Sequence, residues 1–268
     1  IDYETLIDDK GKRVIGFGRY AGIIGAYNTF LSYGLKTNEY VLSYAHKLLN
    51  KNQLDHQLSS VKLPSNFKIV LTGNGRVSQG AQEVLEILNI KKVSKHDFVN
   101  TNFNHPVYVQ LLPSDYYIKN HHILFDKKDF YNNPIDYKSC LHDFITHADM
   151  LITGHYHAPD NQVLLSKKDL EKNIKLKVIG DISCDINGPI GSTIRPSTIN
   201  DPVYGYNRTT GLEDDLDNED VIAVMAVDNL PCSLPQDSSI DFGSVFIKKV
   251  LPELLSTGDM IFKGTITK

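Results

Sequence analysis

The chain has 268 residues, 41% of them hydrophobic, with 28 basic and 32 acidic side chains and a formal net charge of −4. That length supports one large core or two modest ones, and ordinary Gly and Pro levels exclude a disordered or fibrous class. A slightly acidic balance argues against nucleic acid or an anionic membrane as a partner, and no apolar run approaches the roughly 20 residues a membrane helix needs.

Ile1-Asp2-Tyr3-Glu4 leads directly into strand-like sequence and reads as the interior of a longer protein. Residues 1–17 predict a strand, a turn at Asp8-Asp9-Lys10-Gly11 and a second strand over 13–17. Over 20–33 the apolar spacing becomes helical through Ile23, Ile24, Tyr27, Phe30 and Leu31. The small residues Ala21, Gly22, Gly25 and Ala26 predict close packing of that helix against another element. Residues 36–66 are polar, with helical spacing around 41–49.

Residues 67–72 form a short apolar run between Pro64 and Gly73, the pattern of a buried parallel strand. Ala81, Val84, Leu85, Ile87 and Leu88 then carry helix periodicity, and 91–93 predict the next strand. This strand, glycine loop, helix and strand make the first half of a dinucleotide-binding fold. Residues 100–148 read as an insertion with a helix near 137–144. Residues 150–153 and 176–179 are further buried strands. Residues 200–218 are a loop whose Glu213, Asp214, Asp215 and Asp217 form a solvated charge run, 221–227 is an apolar strand, and 246–255 a closing helix. The expected class is α/β: a Rossmann-like doubly wound parallel sheet with the remnant of a second α/β domain. Residues 20–231 form the dinucleotide domain, and 1–19 with 232–268 the remnant.

The loop Gly73-Asn74-Gly75-Arg76-Val77-Ser78-Gln79-Gly80 departs from GxGxxG at Ser78, where a small side chain still permits close packing. Gly73 and Gly75 allow the turn and backbone approach to a pyrophosphate, and the helix N-terminus behind them offers unpaired N–H groups. Either NAD or NADP is the expected cofactor. An acid after the second strand would accept the ribose 2′-hydroxyl of NAD, but the sequence there is Ser94-Lys95, which tilts the reading towards NADP. Asp181 and Asp185, after a buried strand, are placed to orient a carboxamide or a substrate amine; the same argument applies to Asp228. At least one of these acids is expected to cap a loop.

His155-x-His157 alternates as strand residues do, but no third ligand is signposted and no metal is expected. His121-His122 gets the same reading. Cys184 lies between acids, which raise a thiol pKa and argue against covalent catalysis. Three cysteines, Cys140, Cys184 and Cys232, without a CxxC pair, suit a reducing compartment and point to the cytoplasm.

Asp2-Tyr3-Glu4, then Arg13-Val14-Ile15-Gly16-Phe17-Gly18-Arg19-Tyr20-Ala21-Gly22, the Gly73 loop, Asp181-Ile182-Ser183-Cys184-Asp185, Val227-Asp228-Asn229-Leu230-Pro231 and Leu234-Pro235 follow one another in a telling order. That order resembles the lysine-forming saccharopine dehydrogenases and the lysine–ketoglutarate reductase part of aminoadipate semialdehyde synthases, both related to alanine dehydrogenase. The resemblance implies a two-domain NAD(P)-dependent oxidoreductase of lysine metabolism that moves a hydride at the C–N bond of saccharopine or a similar amino acid. Alternatives are an alanine-dehydrogenase-like enzyme for a small amino acid and a dinucleotide module without catalysis.

By resemblance, Lys12, Gly75, Arg76, Ser94, Tyr156, Gly180, Val227, Asp228, Asn229 and Leu230 would contact the cofactor. Arg13, Phe17, Asp181, Ile182 and Ser183 would contact the substrate, and Asp185 would be the acid near the reacting carbon. The family's lysine–histidine acid–base pair lies ahead of the Asp-Tyr-Glu segment and is not in this chain, so little turnover is expected of it alone. The implied partner is a small amino-acid or 2-oxo-acid substrate. Neither nucleic acid nor membrane is expected, and an exposed apolar face would favour an oligomer.

Overall fold

The computed structural model describes residues 1–119, 125–157, 162–173, 175–256 and 258–265, without the side chains of Tyr131 and Lys263. His121 and His122 lie outside the described residues. Nine strands are described: β1 (Lys68–Thr72), β2 (Lys91–Lys92), β3 (Val107–Leu111), β4 (Tyr117–Lys119), β5 (Tyr137–Ser139), β6 (Met150–Thr153), β7 (Val178–Asp181), β8 (Val203–Asn207) and β9 (Val221–Met225). Seven form one sheet in the order β2-β3-β1-β6-β7-β9-β8, and β4 pairs with β5 apart from it. Every neighbour in the large sheet is parallel except β8, which runs antiparallel to β9.

The helices that matter for the site are α1 (Gly18–Thr37), α2 (Lys51–Leu58), α3 (Arg76–Ile87), α4 (Lys95–Asn100) and α5 (Pro113–Tyr116). Further along are α6 (Lys127–Asn132), α7 (His142–Ile145), α8 (Lys167–Lys172), α9 (Pro235–Val245), α10 (Leu251–Ser256) and α11 (Asp259–Lys263). A π-helical turn, Phe246–Val250, joins α9 to α10.

Side chains alternate across a strand, so a sheet covered on both faces sends neighbours into different cores. Ile69, Leu71, Met150, Ile152, Val178, Ala223 and Met225 pack with α1, α2 and α3, whereas Val70, Leu151, Ile179, Ile222 and Val224 pack with Phe98, Leu141, Ile145 and Leu170 on the other face. The fold is therefore a Rossmann-like, doubly wound sheet. A third, small cluster joins Leu6 and Ile15 to Val250, with Phe242, Val245, Phe246, Met260 and Ile261 against it. It ties the first and last parts of the chain together.

The two best-buried helices cross backbone to backbone. A Cβ on Gly22 would lie 1.9 Å from the Val77 carbonyl oxygen, and one on Gly80 2.0 Å from that of Arg19. Gly22 thus serves the packing of α1 on α3, whereas Gly25 makes room for Ile182 and Leu230. Arg19 adds a clamp: its Nε and Nη2 donate to Glu83 at 2.6 and 2.8 Å, and its Nη1 donates to Asp241 of α9 at 2.7 Å.

Several expected elements change. The predicted strand pair over 1–17 is a short 3-10 turn, Tyr3–Thr5, and one antiparallel bridge, Ile7 to Arg13. The turn between them forms as expected, with Asp8 Oδ1 accepting the N–H groups of Lys10 and Lys12 and Gly11 at φ +70°. The helix expected around 41–49 is only a 3-10 turn, Ala45–Lys47, ahead of α2. The helix expected near 137–144 is β5 followed by one-turn α7. Strands β3 and β8 lie where insertion and loop were expected.

Candidate functional site

Strand β1 has β3 on one side and β6 on the other, so the chain reverses its direction of sheet growth at β1. In such folds the crevice beyond the carboxyl ends of those strands receives the ligand. A cleft of about 580 Å³ lies there, lined by Gly73, Asn74, Gly75, Arg76 and Val77 after β1, Pro113 after β3, and Gly154, His155 and Tyr156 after β6. Phe17, Gly18 and Ala21 at the start of α1 (Phe17 its N-cap), Asn229, Pro231, and the amino-terminal Tyr3, Glu4 and Arg13 complete its wall.

The loop's geometry fits an anionic ligand. Gly73 has φ +84°, a left-handed conformation open to glycine at little cost. A Cβ there would stand 2.4 Å from the Gly154 carbonyl oxygen, so the turn packs against the end of β6. Gly75 caps α3 with no side-chain hydrogen bond, no acid stands in the first turn, and nothing lies within 4 Å of where a Gly75 Cβ would be. The first N–H groups of a twelve-residue helix thus open onto free space, carrying the partial positive charge of its dipole. Ser78, in place of a third glycine, is fully buried and donates to the Gly73 carbonyl at 2.9 Å. Gln110 Nε2 donates to the same carbonyl at 2.9 Å, which pins the turn to β3.

Arg76 stands at the border of this cleft and a neighbouring cavity of about 510 Å³ lined by Lys12, Arg13, Gln79, Lys249, Glu253 and Asp259 among others. Its Nη2 donates to the Arg13 carbonyl. Burial, with Arg13 close by, holds the Arg76 pKa below that of a free guanidinium. Phe17 stacks on Phe242 at 4.5 Å between ring centroids, and Tyr3 meets Phe242 edge-on at 5.3 Å. These rings join the chain's first residues to α9 beside the cleft.

The cleft brings together Arg13, Phe17, Gly73, Gly75, Arg76, Tyr156 and Asn229. Other expected residues fall elsewhere. Lys12 is exposed and lines the neighbouring cavity. Ser94 and Lys95 follow β2, the outermost strand, with β3 standing between it and β1. Ser94 caps α4 by accepting the Asp97 N–H at 3.1 Å. Lys95 reaches back to pair with Asp115 at 2.5 Å.

Asp181 is fully buried, and its carboxylate is spent on three hydroxyls: Thr153 at 2.9 Å, Ser183 at 2.7 Å and Thr193 at 2.6 Å. Burial raises its pKa against the pull of those donors. It ties β7 to β6 and does not face the cleft. Ser183 is engaged by the same carboxylate, and Ile182 packs on Gly25 of α1. Gly180 is glycine because Thr29 of α1 leaves no room, with a Cβ falling 1.8 Å from its Oγ1. Val227 and Leu230 are core residues at 1% and 2% exposure. Asp185 and Asp228 are exposed and do not line the cleft. Burial, then the acids Asp181, Asp228 and Asp185, push the Cys184 thiol up to about 11.

Two contributors escaped the sequence reading. Pro113 opens α5 just past β3, whose apolar run, Val107 to Leu111, is hidden in polar surroundings. His155 was weighed only as half of a metal pair. Its ring meets that of His157 edge-on at 6.3 Å, and its Nδ1 lies 2.6 Å from Thr72 Oγ1.

Curated relatives cover nearly the whole chain. The alpha-aminoadipic semialdehyde synthase of Arabidopsis thaliana is 29% identical over 286 residues, which is 91% of this chain and 26% of that protein. The mitochondrial alpha-aminoadipic semialdehyde synthase of Rattus norvegicus is 28% identical over 302 residues, 96% of this chain and 32% of that one. The NAD(+)-dependent, L-lysine-forming saccharopine dehydrogenase of Neurospora crassa is 24% identical over 271 residues, 97% and 61%. This chain is thus homologous to those proteins and spans from about a quarter to three fifths of their length. Among solved structures, an L-alanine dehydrogenase covers 99% of this chain and 63% of its own at TM-score 0.49 and 13% identity. No family profile matches.

Proposed function

We propose that this chain is the cofactor-binding part of a nicotinamide-dinucleotide-dependent amino-acid oxidoreductase of the saccharopine dehydrogenase kind. The observation that carries the reading is the uncapped N-terminus of α3 opening on a cleft at the sheet's reversal point, in a chain whose curated relatives include saccharopine dehydrogenase. The α3 amides and Arg76 would hold the pyrophosphate. A nicotinamide bound there would supply hydride transfer at the carbon of the substrate's C–N bond. Arg13 suits a substrate carboxylate, because a guanidinium bonds one in a forked way. Phe17 and Tyr3 line the same half with apolar rings. The small third core, built from both ends of the chain, is the proposed remnant of the substrate domain.

The strand beside β1 sets where the adenosine ribose lies in such folds, and here that strand is β3. Its end runs into a groove of about 180 Å³ lined by Asn74, Leu112, Pro113, Ser114, Phe125, Lys127 and Phe130. Asp115 is the acid at hand, but it already accepts the Leu112 N–H at 2.8 Å and pairs with Lys95. Lys127 on the groove wall then favours NADP over NAD. The three thiols are free, which fits a reducing compartment; the cytoplasm is the proposed one, and the mitochondrial rat relative makes the mitochondrion the alternative. Among the described residues, no helix is long and apolar enough to cross a membrane.

A second reading, a dinucleotide module without catalysis, is favoured by the enclosure of Asp181 and the placement of Asp185 outside the cleft. Calorimetry with NADH and NADPH tests binding, and oxidation of either with lysine plus 2-oxoglutarate, against pyruvate plus ammonia, tests the chemistry. Oxidation sinks the second reading, and absence of binding sinks both.

A further inference from the structure

One polar atom in the cleft wall has no partner among the described residues: Nε2 of His155, which is shut from water. A buried polar group left unpaired is costly. Such a group in a native fold calls for an explanation, and a bound ligand is one.

The ring's tautomer follows from its neighbours. Thr72 Oγ1 lies 2.6 Å from His155 Nδ1 and also accepts the Gly154 N–H at 3.2 Å. No other acceptor is in reach of the Thr72 hydroxyl among the described residues, so its proton goes to Nδ1. The ring proton therefore sits on Nε2. Burial, with His157 adjacent, pushes the pKa of His155 down to about 3. The ring is a neutral donor throughout the physiological range.

A neutral donor suits an uncharged oxygen better than a phosphate, and the phosphates are already served by α3 and Arg76. His155 lines the cleft beside Gly73 and Pro113. Pro113 opens α5, two residues past the end of β3, the strand that sets the adenosine ribose in this type of sheet.

We propose that His155 is a cofactor-positioning residue whose Nε2–H donates to a hydroxyl of the adenosine-side ribose of the bound dinucleotide. This inference rests on the cleft being a dinucleotide site.

The 268-residue chain and its His155→Phe and His155→Gln variants would be titrated calorimetrically with NADH, NADPH and ADP. A glutamine amide places an N–H near the position of Nε2, whereas phenylalanine has none. His155→Phe should weaken all three ligands roughly five- to tenfold, and His155→Gln should stay within about twofold of wild type. In wild type, the ¹⁵N resonance of Nε2 should show a protonated nitrogen before binding and shift when NADH saturates. That measurement decides the matter even if the phenylalanine variant fails to fold.

Equal affinity of His155→Phe and wild type, or an Nε2 resonance unmoved by saturating NADH, overturns the inference and leaves the functional reading intact. A loss for NADH without one for ADP places the contact on the nicotinamide half and overturns it also. A wild type that binds none of the three removes the functional reading and this inference together.

Discussion

Gly22 of α1 and Gly80 of α3 lie where the two helices cross, each so close to the other helix's backbone that a methyl group would fall about 2 Å from a carbonyl oxygen. The contact fixes the direction of α3, and with it the aim of the amides at its N-terminus.

Gly80→Ala should therefore destabilise the chain by about 1–3 kcal/mol, the usual cost of overpacking, and weaken dinucleotide binding as well. Urea unfolding reads the first effect and calorimetry the second. Stability lost with affinity unchanged would separate helix crossing from ligand aim.

Asp181 is predicted to be structural. Asp181→Ala leaves the hydroxyls of Thr153, Ser183 and Thr193 without their acceptor and should cost about 1–3 kcal/mol. Asp181→Asn should also destabilise, since an amide NH₂ faces at least one of those donors. A variant of full stability but lost hydride transfer would instead return Asp181 to the reacting groups.

The acid side of the stability curve should carry a contribution from His155. Its pKa falls from the ordinary 6.5 to about 3 on folding. Between those values the unfolded chain holds a proton that the folded chain refuses, so stability rises with pH there. The contribution is complete above pH 6.5 and is lost as pH falls towards 3, with a slope approaching about 1.4 kcal/mol per pH unit. Buried Asp181, whose pKa is raised, acts with the opposite sign, so the difference between wild type and His155→Gln isolates the histidine. Parallel curves for the two proteins between pH 4 and 6 would refute it.

Arg19 joins α3 to α9 through Glu83 and Asp241, but the group is more than a third exposed, and solvent discounts the pair. A double-mutant cycle on Arg19→Ala and Asp241→Ala should give a coupling of about 0.5–1 kcal/mol. A coupling near zero would mean that the aromatic contacts of Phe17 and Phe242 hold α9 by themselves.

Lys127→Ala should reduce NADPH affinity roughly fivefold and leave NADH within twofold, since only the former carries a 2′-phosphate. Equal losses would move the ribose away from the β3 groove.

The central strands were legible because their apolar runs end in glycine or a polar turn: 67–72 before Gly73, 150–153 before Gly154, and 221–227 before Asp228. The sheet order was less so. Residues 91–93 are the expected second strand, and Lys91 and Lys92, both exposed, form it at the sheet's edge. Beside β1 stands β3, flanked by Asn104, His105 and Leu112-Pro113, whose apolar run is short and set in polar sequence. β8 carries Gly205 and Asn207 and pairs only along one edge, which gives it the composition of a loop. The cleft itself was half legible. Glycines announce a turn locally, but the enclosure of Asp181 depends on Thr193, twelve residues away, and no spacing rule reports such a pairing.

Arg76 lines both cavities and hydrogen-bonds the Arg13 carbonyl between them. An occupant that draws this guanidinium to itself in one cavity reshapes the wall of the other. Two ligands bound on either side would then be linked, each changing the other's affinity by the same factor. Arg76 of the glycine loop would in that sense act as a thermodynamic relay, coupling two occupants without any motion of the sheet.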